Sequence, residues 1–145
     1  MADTPTMAEV IRRALEDRVN DINVALPGRV ESFNKNNQTA DIKPLIRRVI
    51  RTRKGAPIEE ELPVIPNIPV VFPRAGGYII TLPVQVGDTG QIIVNQRNID
   101  RWREVGGADV NPGDQRCHDL SAAVFYPGLS PSDQAFAGFN SAFWN

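Results

Sequence analysis

The chain's single cysteine and single histidine stand side by side, and an acid follows them: Cys117, His118 and Asp119. A thiol, an imidazole and a carboxylate could together hold a metal ion or activate a thiolate nucleophile. Neighbours in an extended segment point to opposite faces, however, so these three cannot converge on one ion from one chain. A Cys-His nucleophile also needs the imidazole within hydrogen-bond reach of the sulfur and a third group to orient it, which adjacency does not supply. His118 is therefore expected to be structural or exposed, the alternative being a three-fold site with one His118 from each of three chains. The second charged constellation is Arg47, Arg48, Arg51, Arg53 and Lys54, followed after Gly55-Ala56-Pro57 by Glu59, Glu60 and Glu61. Opposite charges so close read as a solvated, mutually compensated loop. No acid, base and oxyanion set can be assembled from these residues, so no catalytic residue, no metal ligand and no cofactor is expected, and the chain is not read as an enzyme.

Composition points the same way. At 145 residues the chain fits one domain with appendages. Its 16 basic and 17 acidic residues leave a net charge of −1, so no global field draws nucleic acid or an acidic membrane. One cysteine excludes an internal disulfide and a zinc-finger ligand set. No run approaches the roughly 18–20 apolar residues of a bilayer span, and the acidic start MADTPTMAEV is unlike a signal peptide, so a soluble chain is expected. Twelve prolines and eleven glycines, most of them after Leu26, cut the chain into short pieces as turns do in small antiparallel barrels.

The elements that must position these residues follow from periodicity. Residues 4–22 read as a helix, with Pro5 suited to its first position, Thr6 and Glu9 at capping-box spacing, and Pro27-Gly28 ending the helical pattern. Met7, Val10, Ile11, Ala14, Leu15, Val19 and Ile22 form one apolar stripe. A barrel fills its interior with its own side chains, so this stripe is expected to dock elsewhere through Ile11, Leu15 and Val19. From Arg29 the period becomes two: residues 29–33, a turn at 34–37 and residues 38–51 make a hairpin, with Pro44 marking an edge or a bulge. Short strands follow at 62–65, 68–72, 78–82 and 91–95, then a helix at 98–105 and a strand at 120–126. Phe72 and Tyr78 are expected in the packing, and Trp102, at helical spacing from Ile99 and Val105, as a plug in the open end. Five short strands with a helix near one end predict an all-β fold, an OB-fold five-stranded antiparallel barrel with an N-terminal helix and a C-terminal extension. The divisions are residues 1–25 for the docking helix, 26–128 for the barrel with its following strand, and 129–145 for an aromatic extension carrying Phe136, Phe139, Phe143 and Trp144.

Several of these words together resemble one family. They are the Gly87-Asp88 turn, the Arg97-x-Ile99-Asp100-x-Trp102 unit, the Gly106-Gly107 exit, the run HDLSAAVFYPGLSP, and upstream PGRVESFNKNNQTADIKPLI. The combination, over roughly residues 26–133, is similar to the OB-fold N-terminal domain of the membrane-piercing central spike under the baseplate of contractile-tailed bacteriophages. The resemblance implies a structural virion protein: a homotrimer that caps the tail tube, is held by tail hub and baseplate proteins, and helps pierce the host envelope on contraction. It implies structural roles for Gly87, Asp88, Arg97, Asp100 and Trp102, and spike-side contacts for the terminal aromatics. Spikes of this family carry iron at the tip through a His-x-His pair, a motif absent from a chain with one histidine. The competing function for an OB barrel with an arginine cluster is single-stranded nucleic-acid binding, which also needs aromatics interleaved with the positive groove. Near the basic block only Phe33, Phe72 and Tyr78 are available, and the glutamates repel phosphate, so no nucleic-acid partner is expected.

Overall fold

The computed structural model describes residues 4–51 and 55–138. Helix α1 (Met7–Asn20) leads into β1 (Ala25–Asn34), β2 (Thr39–Pro44), β3 (Arg48–Ile50), β4 (Ile58–Glu60), β5 (Ile65–Pro69), β6 (Arg74–Ala75), β7 (Tyr78–Ile79) and β8 (Thr89–Val94), then helix α2 (Asp100–Glu104) and β9 (Ala123–Pro127). Five strands make one antiparallel sheet in the order β5-β2-β1-β8-β9, while β3–β4 and β6–β7 are separate hairpins.

Strand β1 bends the sheet because its two halves serve different partners. Ala25 to Arg29 pair with β8, and Gly28 to Asn34 pair with β2, with irregular register between Val30 and Ser32. A second irregularity lies between Ala40 and Ile42, where β2 meets β5. Such bulges raise the local twist. The sheet curls until its outer strands touch: Val70 bridges Phe125 in parallel, and the Val71 amide donates to the Phe125 carbonyl at 2.8 Å. The result is a curled half-barrel with an N-terminal helix, consistent with an OB-like barrel.

Inside the curl lie Val30, Ile42, Ile68, Val70, Ile92 and Phe125, all fully buried. They arrive there by alternation. On β2, Ala40 and Ile42 face in, and on β8 Gly90, Ile92 and Val94 do so. Gly28 and Gly90 are register partners, and a Cβ on either would overlap core atoms, so the two glycines let β1 and β8 approach over Ile42 and Phe125.

Local chemistry corrects several expectations. The helix starts at an N-cap Thr6 with a reciprocal Glu9 capping box, so Pro5 lies outside the first turn, and it ends at Asp21 before Pro27-Gly28 is reached. Pro27-Gly28 instead sits within β1, where glycine is needed for close approach. Pro44 closes an interior strand, with the ladder continued by the Leu45 amide on the Pro27 carbonyl; the edge belongs to β5. The strand expected at 78–82 shrinks to the two residues of β7, and Tyr78 is 83% exposed, outside the packing that holds Phe72.

Candidate functional site

Strand register sorts the appendages to two opposite ends. Ala25 of β1, the exits of β2 and β8 and the starts of β5 and β9 share one end, which therefore carries α1, the β3–β4 hairpin and the loop holding α2. The β1–β2 turn, the β6–β7 hairpin and the exit of β9 lie at the other.

At the first end, α1 buries none of its side chains. Ile11, Leu15 and Val19 are 53%, 62% and 65% exposed, so the stripe that should dock has no cover within the protomer. A helix of this length is marginal on its own in water. The short link from α1 to β1 is nevertheless fixed. The Asp21 carboxylate accepts from Arg48 Nη2 at 2.8 Å, the Asn23 amide donates to the His118 carbonyl at 2.8 Å, and the Val94 amide donates to the Val24 carbonyl. His118 Nδ1 lies 3.1 Å from the Asn23 carbonyl, which can only accept, so that nitrogen carries the proton. His118 holds this position in a left-handed conformation, with φ at 51°.

Beside the link lies an open groove of about 320 Å³, walled by Ile22, Val24, Leu26, Ile46, Leu62 and Leu120 and rimmed by Asp21, Arg47 and Arg48. The β3–β4 hairpin extends its apolar wall. Arg48 pairs with Glu60 and Ile50 with Ile58, so these four share one face, and both isoleucines are exposed.

The charged constellations resolve into structure. Arg47 contacts Glu59 at 3.2 Å and Glu61 at 3.6 Å, and Lys43 donates to the Leu62 carbonyl; Arg53 and Lys54 lie outside the described residues. Cys117 is exposed, His118 turns to Asn23, and Asp119 caps the 3-10 turn at Leu120–Ala122 by accepting from the Ser121 amide at 2.9 Å, so the three side chains diverge. Among the described residues no group of acids, histidine and cysteine could hold a metal ion.

The remaining predicted residues serve loops. Gly87, at φ 95°, donates to the Val30 carbonyl, the Val30 amide donates in return to the Asp88 carbonyl, and the Asp88 carboxylate accepts from the Gln85 amide, so this turn locks β8 onto β1. Arg97 donates to the Gln115 carbonyl at 3.3 Å, and the Asp100 amide donates to Asn98 Oδ1. Trp102 is 48% exposed and contributes nothing to the core; its ring faces Gly107 instead of plugging the barrel, because the core is already filled by Phe125 and the isoleucines. Phe136 is 78% exposed, while Phe139, Phe143 and Trp144 lie outside the described residues. Sequence reasoning missed Asp114, whose carboxylate holds Arg116 at 2.8 Å and the Asn98 amide at 2.9 Å, tying the two ends of the α2 loop together.

Arg116 and then Asn98 hold the Asp114 carboxyl below the usual carboxylate range, and the Ser121 hydroxyl and amide do the same for Asp119. Both contributions are present above the ordinary aspartate value near 3.9 and are lost as pH falls through the lower folded values. A carbon-detected titration should therefore show both carboxyls changing state below that value, and ordinary midpoints would mean that the loop bonds do not persist in solution.

Comparison with curated proteins returns no match. A family model does match, the phage protein Gp138 N-terminal domain, over residues 26–128. That segment takes in the curled sheet, both hairpins and the α2 loop and leaves α1 outside. Covering well over half of the sequence, the match shows that the chain belongs to the phage protein Gp138 N-terminal domain family.

Proposed function

We propose that this chain is a structural virion protein, a homotrimeric central spike of a contractile tail baseplate with a closed OB barrel as its rigid body. In this reading it caps the tail tube, is held by hub and baseplate proteins, and is driven against the host envelope by contraction. It performs no catalysis and takes no cofactor. Force transmission asks for a body that does not deform, and a core of buried aliphatic and aromatic side chains enclosed by a curled five-stranded sheet meets that demand.

The observation that supports the reading beyond a generic phage domain is exposed apolar surface at both ends of the curled sheet: Ile11, Leu15 and Val19 on α1, Ile50 and Ile58 on the β3–β4 hairpin, and Tyr78, Ile80 and Leu82 at the other end. Apolar patches of that kind mark interfaces.

Light scattering at micromolar concentration should give three times the 16.0 kDa protomer mass. A clean monomer would remove the trimeric spike. Micromolar, salt-dependent binding to an oligonucleotide would replace it with the single-strand-binding module that an OB barrel can also be.

A further inference from the structure

We infer that α1 is an exchanged arm: in the trimer proposed above, on which this inference rests, the helix of each protomer lies in the groove beside β3–β4 of its neighbour. Donor and acceptor are both exposed surfaces of the protomer. The stripe of α1 is exposed throughout; the groove walled by Ile46 is open, and the exposed Ile50 and Ile58 share the hairpin face of Arg48 on its rim. The two surfaces differ, so the contact is head-to-tail, and because both sit at the same end of the barrel a three-fold rotation would close it into a ring.

Reach favours a neighbour over the helix's own groove. The link from Asp21 to Val24 is fixed to Arg48, His118 and Val94, so α1 leaves the rim in a set direction. Its 14 residues extend about 20 Å, comparable with the width of a small barrel.

Charge favours the groove over a bundle of three α1 helices. Arg18, four residues after Ala14 and seven after Ile11, falls on the apolar stripe itself. In a symmetric bundle three Arg18 side chains would face one another around the axis. In the groove, Arg18 meets a face on which Glu60 stands opposite Arg48, and Arg48 already pairs with Asp21 at 2.8 Å. The stripe also spans nearly half the helix circumference from Val10 to Val19, which suits a groove better than a narrow coiled-coil seam.

The test uses the full chain with Cys117→Ser, which removes the native thiol. Leu15→Cys combined with Ile50→Cys should form disulfides between chains on mild oxidation and run as a ladder up to trimer and beyond dimer, while each single variant stays uncrosslinked. Ile11→Cys with Ile58→Cys is a second pair should the first disturb folding. Independently, Arg18→Glu should weaken the trimer at least tenfold, and adding Glu60→Arg should restore it. A trimer in which Leu15→Cys alone crosslinks would mean a helix bundle and overturn the exchange while leaving the spike reading standing. Disulfides within one chain, or free thiols throughout a trimer, would overturn it equally. A monomeric parent would remove both readings.

Discussion

Gly90→Ala is expected to cost the domain about 3 kcal/mol or more and to lower its melting temperature by roughly 10 °C. Gly90 lies in β8, paired with Gly28 on one side and Pro127 on the other. A Cβ there would overlap the Tyr126 carbonyl oxygen and come within 2.8 Å of Pro127 Cα. Both belong to the backbone of β9, which cannot rotate aside as a side chain can. Relief requires β9 to move away from β8, and that would pull Phe125 from the core and from its contact with Val70 and Val71. Gly28→Ala is the instructive comparison. Its Cβ would meet Ile42 Cγ2 at 2.6 Å and Ile92 Cδ1 at 2.7 Å, which are side-chain atoms only. Ile92→Val removes one of them, so the Gly28→Ala and Ile92→Val pair should lose less stability than the sum of its parts. No second-site truncation should rescue Gly90→Ala in this way. Scanning calorimetry decides the matter: a melting temperature unchanged by Gly90→Ala would mean that β8 and β9 are not held at this spacing.

These two glycines also mark where the sequence stops being legible. The Thr6–Glu9 capping box, the hairpin around residues 34–37 and the Gly87-Asp88 turn were readable because their partners lie within a few residues or follow from period two. Gly28 looked like a helix terminator because Pro-Gly is a strong local stop signal, while its actual reason, the approach of Ile42 and Ile92, is long-range. His118 was expected to be structural or exposed, but the brace it forms was not legible, since its partner Asn23 lies 95 residues away. Trp102 was read as a plug from its helical spacing with Ile99 and Val105, and spacing cannot say whether the interior has already been filled by Phe125. The apolar stripe of α1 was plain from its 3, 4, 7 rhythm, because amphipathicity is written in one element. The groove was not, because its walls come from four separated stretches around residues 22–26, 46–48, 62 and 120.

Replacing Ile11, Leu15 and Val19 together with Ser should leave the barrel's melting transition in place and dissolve the assembly. The fold permits this separation because α1 buries no side chain and the core is complete without it. Burial of a large aliphatic contributes about 1.5–3 kcal/mol, and these three retain more than half of their surface in the lone protomer. Covering that remainder is worth about 3–5 kcal/mol per helix, so docking should weaken by roughly 10²–10⁴-fold. Serine also lowers helix propensity, and that effect must be told apart from lost contact. Arg13→Ser with Glu16→Ser, on the opposite face of α1, carries a similar propensity cost and should keep the assembly. Circular dichroism melting, light scattering and co-purification with hub proteins read the outcomes separately. If the triple variant loses the sheet's cooperative transition, α1 is part of the folded core and not an arm. If it melts normally and still forms trimers, the contacts that hold the protomers together lie at the other end of the barrel, where Tyr78, Ile80 and Leu82 are also exposed. Only a folded barrel that no longer assembles assigns the stripe to docking, because it shows that the same residues are dispensable for one and required for the other.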